Sequence, residues 1–324
     1  DRVTFLTSGP IMLQMGNLST DGKRMALLTS HTAAPDEVAV GEVAPRSIEV
    51  RVLTSFNKSL LGERDVAKIQ SHWVKVADGT RVQLWVMRPP AFKPGRRYPL
   101  ILEIHGGPHA QYGVGFFHEF QVLAAAGYVV LFSNPRGSKG YGRDHCAAIR
   151  GSWGGADWQD IQAVIEFAKS RPYVNSARLG IMGGSYGGYM TNWAIGHCHD
   201  FAAAITDRCV SNLLSMAGSS DFPDRPDHYW PGNPWDRAET RWAQSPIRYF
   251  NKVKTPTLVI HSEGDLRCNI EQAEQVFTSL MVRGVPTRFV RYPRSTSHGL
   301  SRGGPPDTRL HRLRQILEWW KEYL

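Results

Sequence analysis

The chain has 324 residues, 42% of them hydrophobic, so it can bury a sizeable core in one large domain with a small appendage. No stretch is long and apolar enough to span a membrane, and residues 1–30 lack the apolar core of a secretory signal. The net charge of +9 is compatible with acidic substrates, and the four cysteines have neither paired nor metal-like spacing, which predicts a cytoplasmic protein without metal or cofactor.

Short strands separated by turns occupy the front of the chain. A turn and a short strand lie within residues 18–28, and strand-like runs follow at 37–43 and 48–53. These resemble the strands of a β-propeller, in which one or two blades cannot bury their faces alone. We therefore expect the chain to be a fragment of a longer protein. Residues 1–62 would be a remnant of its β-propeller with a linker, and the remaining blades of that propeller would be the partner of this chain.

Strands and helices alternate in residues 63–324, which we predict to form the catalytic domain. The helical segments lie near 158–170, 186–198, 270–283 and 307–323. The strand-like segments lie near 81–88, 99–104, 128–133, 178–182, 201–206, 256–261 and 287–292. This alternation predicts an α/β fold with a mostly parallel sheet flanked by helices.

A glycine-rich loop, HGGP at residues 105–108, follows the second of these strands. Glycines let a main chain approach another group closely, so a backbone N–H of this loop can reach a bound substrate. We select Gly107 as that donor.

Residues 183–187, GGSYG, form a Gly-x-Ser-x-Gly pattern between an apolar run and a helical segment. This pattern is typical of a nucleophile elbow, in which glycines two residues either side of a strained serine let the chain pass. We expect Ser185 to present its hydroxyl as a nucleophile. The helix that follows places the Tyr186 N–H beside an anion forming on the substrate, as one of two oxyanion donors.

An acid and a histidine follow further strands. Asp265 lies just beyond the run at 257–261, and we prefer it to Glu263 because Gly264 provides the turn towards a neighbouring loop. His298 lies on the loop after the last strand. The order serine, acid, histidine is that of α/β-hydrolases, in which the histidine removes the serine proton and the acid orients the imidazole.

The last helical segment has an apolar stripe, and we expect Asp307 to cap it. Leu310, Leu313, Leu317 and Trp320 would face the core. Its basic residues then form a solvated face rather than a nucleic-acid site. These residues are Arg309, Arg312 and Arg314.

Several longer motifs together resemble the prolyl oligopeptidase family, and within it the acylaminoacyl peptidase branch. They are NPRGSKGYG at 134–142, GSWGGADWQD at 151–160, GGSYGGYMTNW at 183–193, HSEGDLRC at 261–268 and SHGLSRGGPP at 297–306. The resemblance implies a serine peptidase acting on short peptides, with the triad at Ser185, Asp265 and His298. It also implies that Arg267, two residues after the acid, binds a substrate carbonyl, although pairing with a nearby carboxylate is an alternative. Assembly into a homo-oligomer is compatible with the family.

One departure from the family concerns the oxyanion hole. Prolyl oligopeptidases and dipeptidyl peptidases carry a tyrosine there, whereas this chain has His105, which favours donation by the Gly107 backbone and puts proline specificity in doubt.

The segment 217–244 is rich in Pro, Trp and Asp and would lie over the site. Its aromatic residues either shape a specificity pocket or belong to the core; they are Phe222, Tyr229, Trp230 and Trp235.

Three substrate classes remain open. The first is an N-acylated peptide, from which the enzyme releases the blocked residue. The second is a peptide with a free C-terminal carboxylate, bound bidentately by Arg208, Arg225 and Arg267 as in a carboxypeptidase. The third is a carboxylic ester, because fold and triad do not fix the acyl substrate.

Overall fold

A computed structural model of the chain describes residues 3–222 and 229–324. The chain divides into two compact units. The smaller unit comprises Asp1–Gln70, Met87–Phe92 and Gly113–Gly127, and the larger comprises Ser71–Val86, Lys93–Tyr112 and Tyr128–Leu324. The predicted boundary after residue 62, between a propeller remnant and a catalytic domain, stays a prediction.

The smaller unit is built on a four-stranded antiparallel sheet in the order β1-β2-β3-β4. Its strands are β1 (Met12–Leu18), β2 (Arg24–His31), β3 (Ala34–Ala44) and β4 (Ser47–Val52). Two helices belong to this unit, α1 (Lys58–Gly62) and α2 (His118–Ala125). The Gln121 side chain fixes α2 by donating to the carbonyl oxygens of Thr32 and Ala67, each at 3.0 Å.

The larger unit carries nearly all of an eight-stranded sheet in the order β12-β11-β10-β9-β7-β8-β6-β5. Its strands are β5 (Ile69–Lys75), β6 (Arg81–Met87), β7 (Tyr98–Ile104), β8 (Val129–Asn134), β9 (Val174–Gly184), β10 (Phe201–Asp207), β11 (Thr257–Ser262) and β12 (Thr287–Tyr292). From β8 to β12 every neighbouring pair is parallel. Every residue of β8 and β11 is buried, as expected for central strands covered on both faces.

The helices of the larger unit lie between these strands, except for the last two, which follow β12. They are α3 (Arg143–Ala147), α4 (Ala156–Lys169), α5 (Tyr186–His197), α6 (Leu213–Ser219), α7 (Ala238–Ala243), α8 (Ile270–Val282), α9 (Leu300–Gly303) and α10 (Pro306–Tyr323), with a 3-10 helix at Pro246–Lys252. Among the residues described, no helix has the length and apolar character needed to cross a membrane.

The last helix, α10, differs from its prediction. Asp307 is not its cap, because the helix begins at Pro306 and the Asp307 side chain accepts from Thr308 inside the first turn. Leu310 is 49% exposed, and Arg312, expected in solvent, is buried. The buried stripe is Arg312, Ile316, Trp319 and Trp320. It shares Trp320 with the predicted stripe, and it includes Arg312 because that side chain forms a buried ion pair, described below.

The fold prediction is confirmed. Each predicted strand and helix of the α/β region is present within a few residues, and the sheet is mostly parallel. The architecture is that of an α/β-hydrolase preceded by antiparallel strands. Because parallel strands end at one edge of a sheet, the segments that follow β7, β9, β11 and β12 meet there.

Candidate active site

Ser185 connects β9 to α5 in a strained conformation, with φ of 63° and ψ of −123°. Non-glycine residues adopt such angles only where the surroundings enforce them. A Cβ on Gly183 would lie 2.6 Å from the carbonyl oxygen of Ile104, and a Cβ on Gly187 would clash with the same oxygen. Both glycines of the pattern are therefore required by the close passage of β7, and the local geometry is that of the predicted elbow.

The loop at 105–108 passes directly beside the serine. A Cβ on Gly106 would lie 3.2 Å from the Cβ of Ser185. Gly107 has φ of +128°, and a Cβ there would lie 2.7 Å from the backbone nitrogen of His109, so this position also requires glycine. The two oxyanion candidates, the N–H groups of Gly107 and Tyr186, thus belong to segments that flank Ser185.

His105 is buried and has both ring nitrogens engaged. Nδ1 donates to the carbonyl oxygen of Gly106 at 2.7 Å, and Nε2 lies 2.8 Å from the Ser138 hydroxyl. Burial lowers the pKa of His105 to about 4, so the ring is neutral and its single N–H is the one that Nδ1 donates to Gly106. Because no ring N–H is left for a substrate, His105 holds the loop in place, which favours backbone donation.

Asp265 and His298 form a hydrogen-bonded pair. Nδ1 of His298 donates to Oδ2 of Asp265 at 2.6 Å, while Oδ1 accepts the backbone N–H groups of Arg267 and Cys268, each at 2.9 Å. Although burial raises it, hydrogen bonds from His261 and His298 hold the pKa of Asp265 well below its usual value. An ionised Asp265 fixes the imidazole tautomer whose Nε2 can accept a proton.

Glu263, the rival acid, lies elsewhere. Its carboxylate pairs with Arg291 at 2.7 Å, and its side chain is 38% exposed. The carboxylate that contacts His298 is that of Asp265.

His261 also contacts the acid, although no role for it was predicted from the sequence. Its buried Nε2 lies 2.7 Å from the carbonyl oxygen of Cys268 and 3.4 Å from Oδ2 of Asp265. Burial alone lowers its pKa, but interactions with Asp265 and Cys209 raise it to about 10. Its place four residues before Asp265, at the same sheet edge, was the available signal.

The described residues contain no hydrogen bond between the side chains of His298 and Ser185. The serine hydroxyl instead interacts with the Cys268 thiol. Catalytic hydrogen bonds of this kind often form only when substrate is bound. Nor do the described residues include a group of three or more His, Cys, Asp or Glu side chains that could hold a metal ion.

Arg267 makes the ion pair that was one of its two predicted uses. Its Nε lies 2.6 Å from Oδ1 of Asp221, and both side chains are nearly half exposed. The guanidinium carbon also lies 5.3 Å from the centre of the Phe222 ring. Arg267 and Phe222 therefore form one surface at the acid loop, where they stay candidates for substrate binding.

Arg208 lies directly behind the nucleophile, with φ of 39°. Its guanidinium fills the space beside Gly184, where a Cβ would lie 2.6 Å from Nη2. Nε and Nη1 are buried and have no hydrogen-bond partner in the described part of the chain. A buried guanidinium with unsatisfied donors is suited to an anionic ligand. Arg225 lies outside the described residues.

A buried ion pair supports the backbone behind Ser185. The Ser185 N–H donates to the carbonyl oxygens of Asp207 and Arg208 at 3.0 and 3.1 Å. The Asp207 carboxylate accepts Nε and Nη2 of Arg312, from α10, at 3.1 and 2.8 Å. The final helix thereby fixes the end of β10, where the carbonyl groups that accept the Ser185 N–H lie.

The aromatic residues of segment 217–244 divide between the two predicted uses. Trp230 is 7% exposed and belongs to the core, whereas Trp235 is 76% exposed. Tyr229 stacks on His109 with ring centres 5.2 Å apart and lies 5.9 Å from Phe222.

The arrangement is suited to acyl transfer. It combines a strained serine, a histidine oriented by a carboxylate, and two backbone segments whose N–H groups flank the serine.

Comparisons with known proteins agree with this chemistry. Residues 114–324 match the prolyl oligopeptidase family. The chain is 44% identical over 296 residues to the uncharacterized peptidase YuxL of Bacillus subtilis (strain 168), covering 90% of this chain and 44% of that protein. It is 32% identical over 269 residues to dipeptidyl-peptidase 5 of Porphyromonas gingivalis, covering 80% of this chain and 39% of that protein.

Among solved structures, the acylaminoacyl peptidase of Pyrococcus horikoshii superposes with a TM-score of 0.90 at 29% identity. The match covers 98% of this chain and 50% of that one. The chain thus spans half or less of the length of these relatives.

Proposed function

Because this chain belongs to the prolyl oligopeptidase family of serine peptidases, we propose that it cleaves short peptides through an acyl-enzyme on Ser185 and releases N-acylated amino acids. The observation that carries the proposal is the 2.6 Å hydrogen bond from His298 to the ionised Asp265, at the sheet edge where Ser185 forms the elbow. The likeness to an acylaminoacyl peptidase supports the choice of substrate.

The mechanism follows from the roles of these groups. His298 takes the Ser185 proton as Oγ attacks the scissile carbonyl, and the N–H groups of Tyr186 and Gly107 stabilise the resulting oxyanion. His298 then returns the proton to the leaving amine as the C–N bond breaks. Water, deprotonated by the same histidine, hydrolyses the ester and restores Ser185.

A carboxypeptidase is the second candidate, and the unpartnered Nε and Nη1 of Arg208 favour it. A C-terminal carboxylate is the peptide group that best matches a guanidinium fork. A carboxylesterase is the third, since an ester would use the same triad. Assembly into a homo-oligomer, a cytoplasmic location and short-peptide selection by further propeller blades remain proposals.

Hydrolysis of a matched panel tests these candidates. The panel contains an N-acetylated peptide, the same peptide with a free amine, its C-terminal amide and a simple ester. We expect preference for the acetylated peptide and loss of about 10⁶ in kcat in Ser185→Ala, as for other serine hydrolases.

Other outcomes of the panel redirect the assignment. Preference for the free carboxylate over the amide, lost in Arg208→Gln, indicates a carboxypeptidase. Preference for the free amine indicates a dipeptidyl peptidase, and turnover of the ester alone indicates an esterase. Full activity in Ser185→Ala overturns the proposal.

A further inference from the structure

The segment GSWGGADWQD carries part of the family resemblance, yet the mechanism above does not use it. Its Asp157 lies in the first turn of α4 and is 0% exposed. A carboxylate this deeply buried is unfavourable unless donors or a cation compensate it. Its partners therefore indicate what it does.

Asp157 connects the start of α4 to the residue after the nucleophile. Its Oδ2 accepts the Tyr186 hydroxyl at 2.5 Å and the Gly154 N–H at 3.2 Å, while Oδ1 accepts the Trp158 N–H at 2.9 Å. Of these donors, Tyr186 alone lies outside the segment at 154–158. The bond to Tyr186 thus joins two helix starts across the core.

Tyr186 is held on several sides. It is 1% exposed, its ring meets the edge of Trp153 with centres 4.9 Å apart, and it stacks with Tyr189 at 5.7 Å. These ring contacts restrict the ring plane but allow sliding, whereas the hydrogen bond to Asp157 fixes the far end of the side chain. A side chain fixed at its tip also restrains the backbone that carries it.

No cation contacts Asp157 among the described residues. The titratable groups that face it are Asp160 on its own helix and Tyr186 and Tyr189 on α5, and Asp160 is paired with Arg136 at 2.7 Å. Burial, with a contribution from Asp160, raises the pKa of Asp157 to about 6. Burial also raises the pKa of Tyr186 well above its usual value, so its hydroxyl remains a donor.

We propose that Asp157 is a positioning residue of the oxyanion hole, which holds the Tyr186 side chain and thereby directs the Tyr186 backbone N–H at the substrate oxygen. The inference rests on the proposed roles of Ser185 and Tyr186. Its physical basis is that a donor displaced by a fraction of an ångström stabilises the oxyanion poorly.

The test measures how fast a fluorophosphonate labels Ser185. In this reaction the Oγ–P bond forms, the P–F bond breaks, fluoride leaves and the hydroxyl proton passes to His298. The phosphoryl oxygen occupies the oxyanion position, so the rate reports on that site without requiring a known peptide substrate.

The structure offers a matched pair of variants. Tyr186→Phe removes the hydroxyl that Asp157 accepts. Tyr189→Phe removes a hydroxyl from an equally buried tyrosine one turn along α5, which donates to the Gln244 carbonyl at 2.9 Å. We expect labelling to slow by about tenfold in Tyr186→Phe and by less than about twofold in Tyr189→Phe. Equal rates in the two variants overturn the inference.

Variants of Asp157 provide a second measurement. Asp157→Asn keeps an acceptor oxygen, so it should label faster than Asp157→Ala, and with an identified substrate both should lower kcat more than they raise KM. Wild-type labelling should slow as pH falls through about 6, because protonated Asp157 gains a hydrogen that competes with its donors. Asp157→Asn should lack that component of the profile.

These outcomes separate the inference from the proposed function. An unlabelled wild type contradicts the serine-peptidase proposal itself. A labelled wild type with an unchanged Tyr186→Phe contradicts the inference alone. Thermal unfolding establishes that each variant is folded, and if Tyr186→Phe is not, the Asp157→Asn and Asp157→Ala comparison decides.

Discussion

Asp157 and Asp265 lie in the same unit and are 0% and 1% exposed, yet their pKa values shift in opposite directions. Asp265 faces two imidazoles, those of His261 and His298, and stays ionised. Asp157 faces a phenol and backbone N–H groups, and its pKa rises to about 6. Burial alone therefore does not decide the charge of a carboxyl group; the presence of a cationic partner does.

The largest expected effect distinguishes the two carboxylates by activity. Asp265→Asn should lower kcat by about 10⁴, because an amide stabilises neither the required histidine tautomer nor its protonated form. Asp157→Asn should cost only about tenfold, since it acts through Tyr186. Single-turnover acylation measures both.

Glu263→Gln is the control for Asp265→Asn. It changes an exposed carboxylate two residues away, paired only with Arg291 in the described residues, and should leave kcat within about twofold. If Asp157→Asn and Asp265→Asn lowered kcat equally, the opposite pKa shifts of the two carboxyl groups would have no bearing on activity.

The second prediction concerns how the free energy of unfolding changes with pH. The pKa of folded Asp157 lies above its ordinary value of 3.8, so folding favours the protonated form. That contribution is complete below about pH 3.8 and is lost as pH rises through about 6. The free energy of unfolding of Asp157→Asn minus that of wild type should therefore be about 2 kcal/mol larger at pH 8 than at pH 4.

Chemical denaturation at several pH values measures this difference. A relative stability that stays constant over the range would show that Asp157 titrates near its ordinary value. Asp265 changes in neither protein, so its own titration cancels from the comparison.

The smallest expected effect extends the comparison to an exposed carboxylate. Asp221 pairs with Arg267 at 2.6 Å but is 43% exposed. Asp221→Asn should change the free energy of unfolding by less than about 1 kcal/mol, and less still in high salt, because water screens the pair. If Asp221→Asn lost more stability than Asp157→Asn, burial would not be the property that distinguishes the two carboxylates.

Asp221→Asn also releases Arg267. A change in KM with unchanged kcat would support a role of Arg267 in substrate binding, as the family resemblance implies.

The features that could be predicted from the sequence are those that depend on residues close together along the chain. Alternating apolar runs gave the strands and helices of the α/β region, and the spacing around Ser185 gave the elbow. Strand order brought Asp265 and His298 to one edge, because parallel strands must end there.

The features missed were those that depend on distant partners. Arg312 was expected in solvent because charge is usually exposed, and its burial depends on Asp207, 105 residues earlier. Asp157 was recognised only as part of the motif at 151–160, and its contact with Tyr186 is 29 residues away. Neither contact produces a periodic pattern in the amino-acid sequence.

The ion pair of Arg312 with Asp207 has a consequence for synthesis of the chain. A ribosome delivers residues in order, so the elbow at Ser185 emerges long before the helix that braces the strand end behind it. Asp265 and His298 emerge late as well. The triad therefore cannot assemble until His298 has been synthesised, and α10 reaches the strand end behind Ser185 later still.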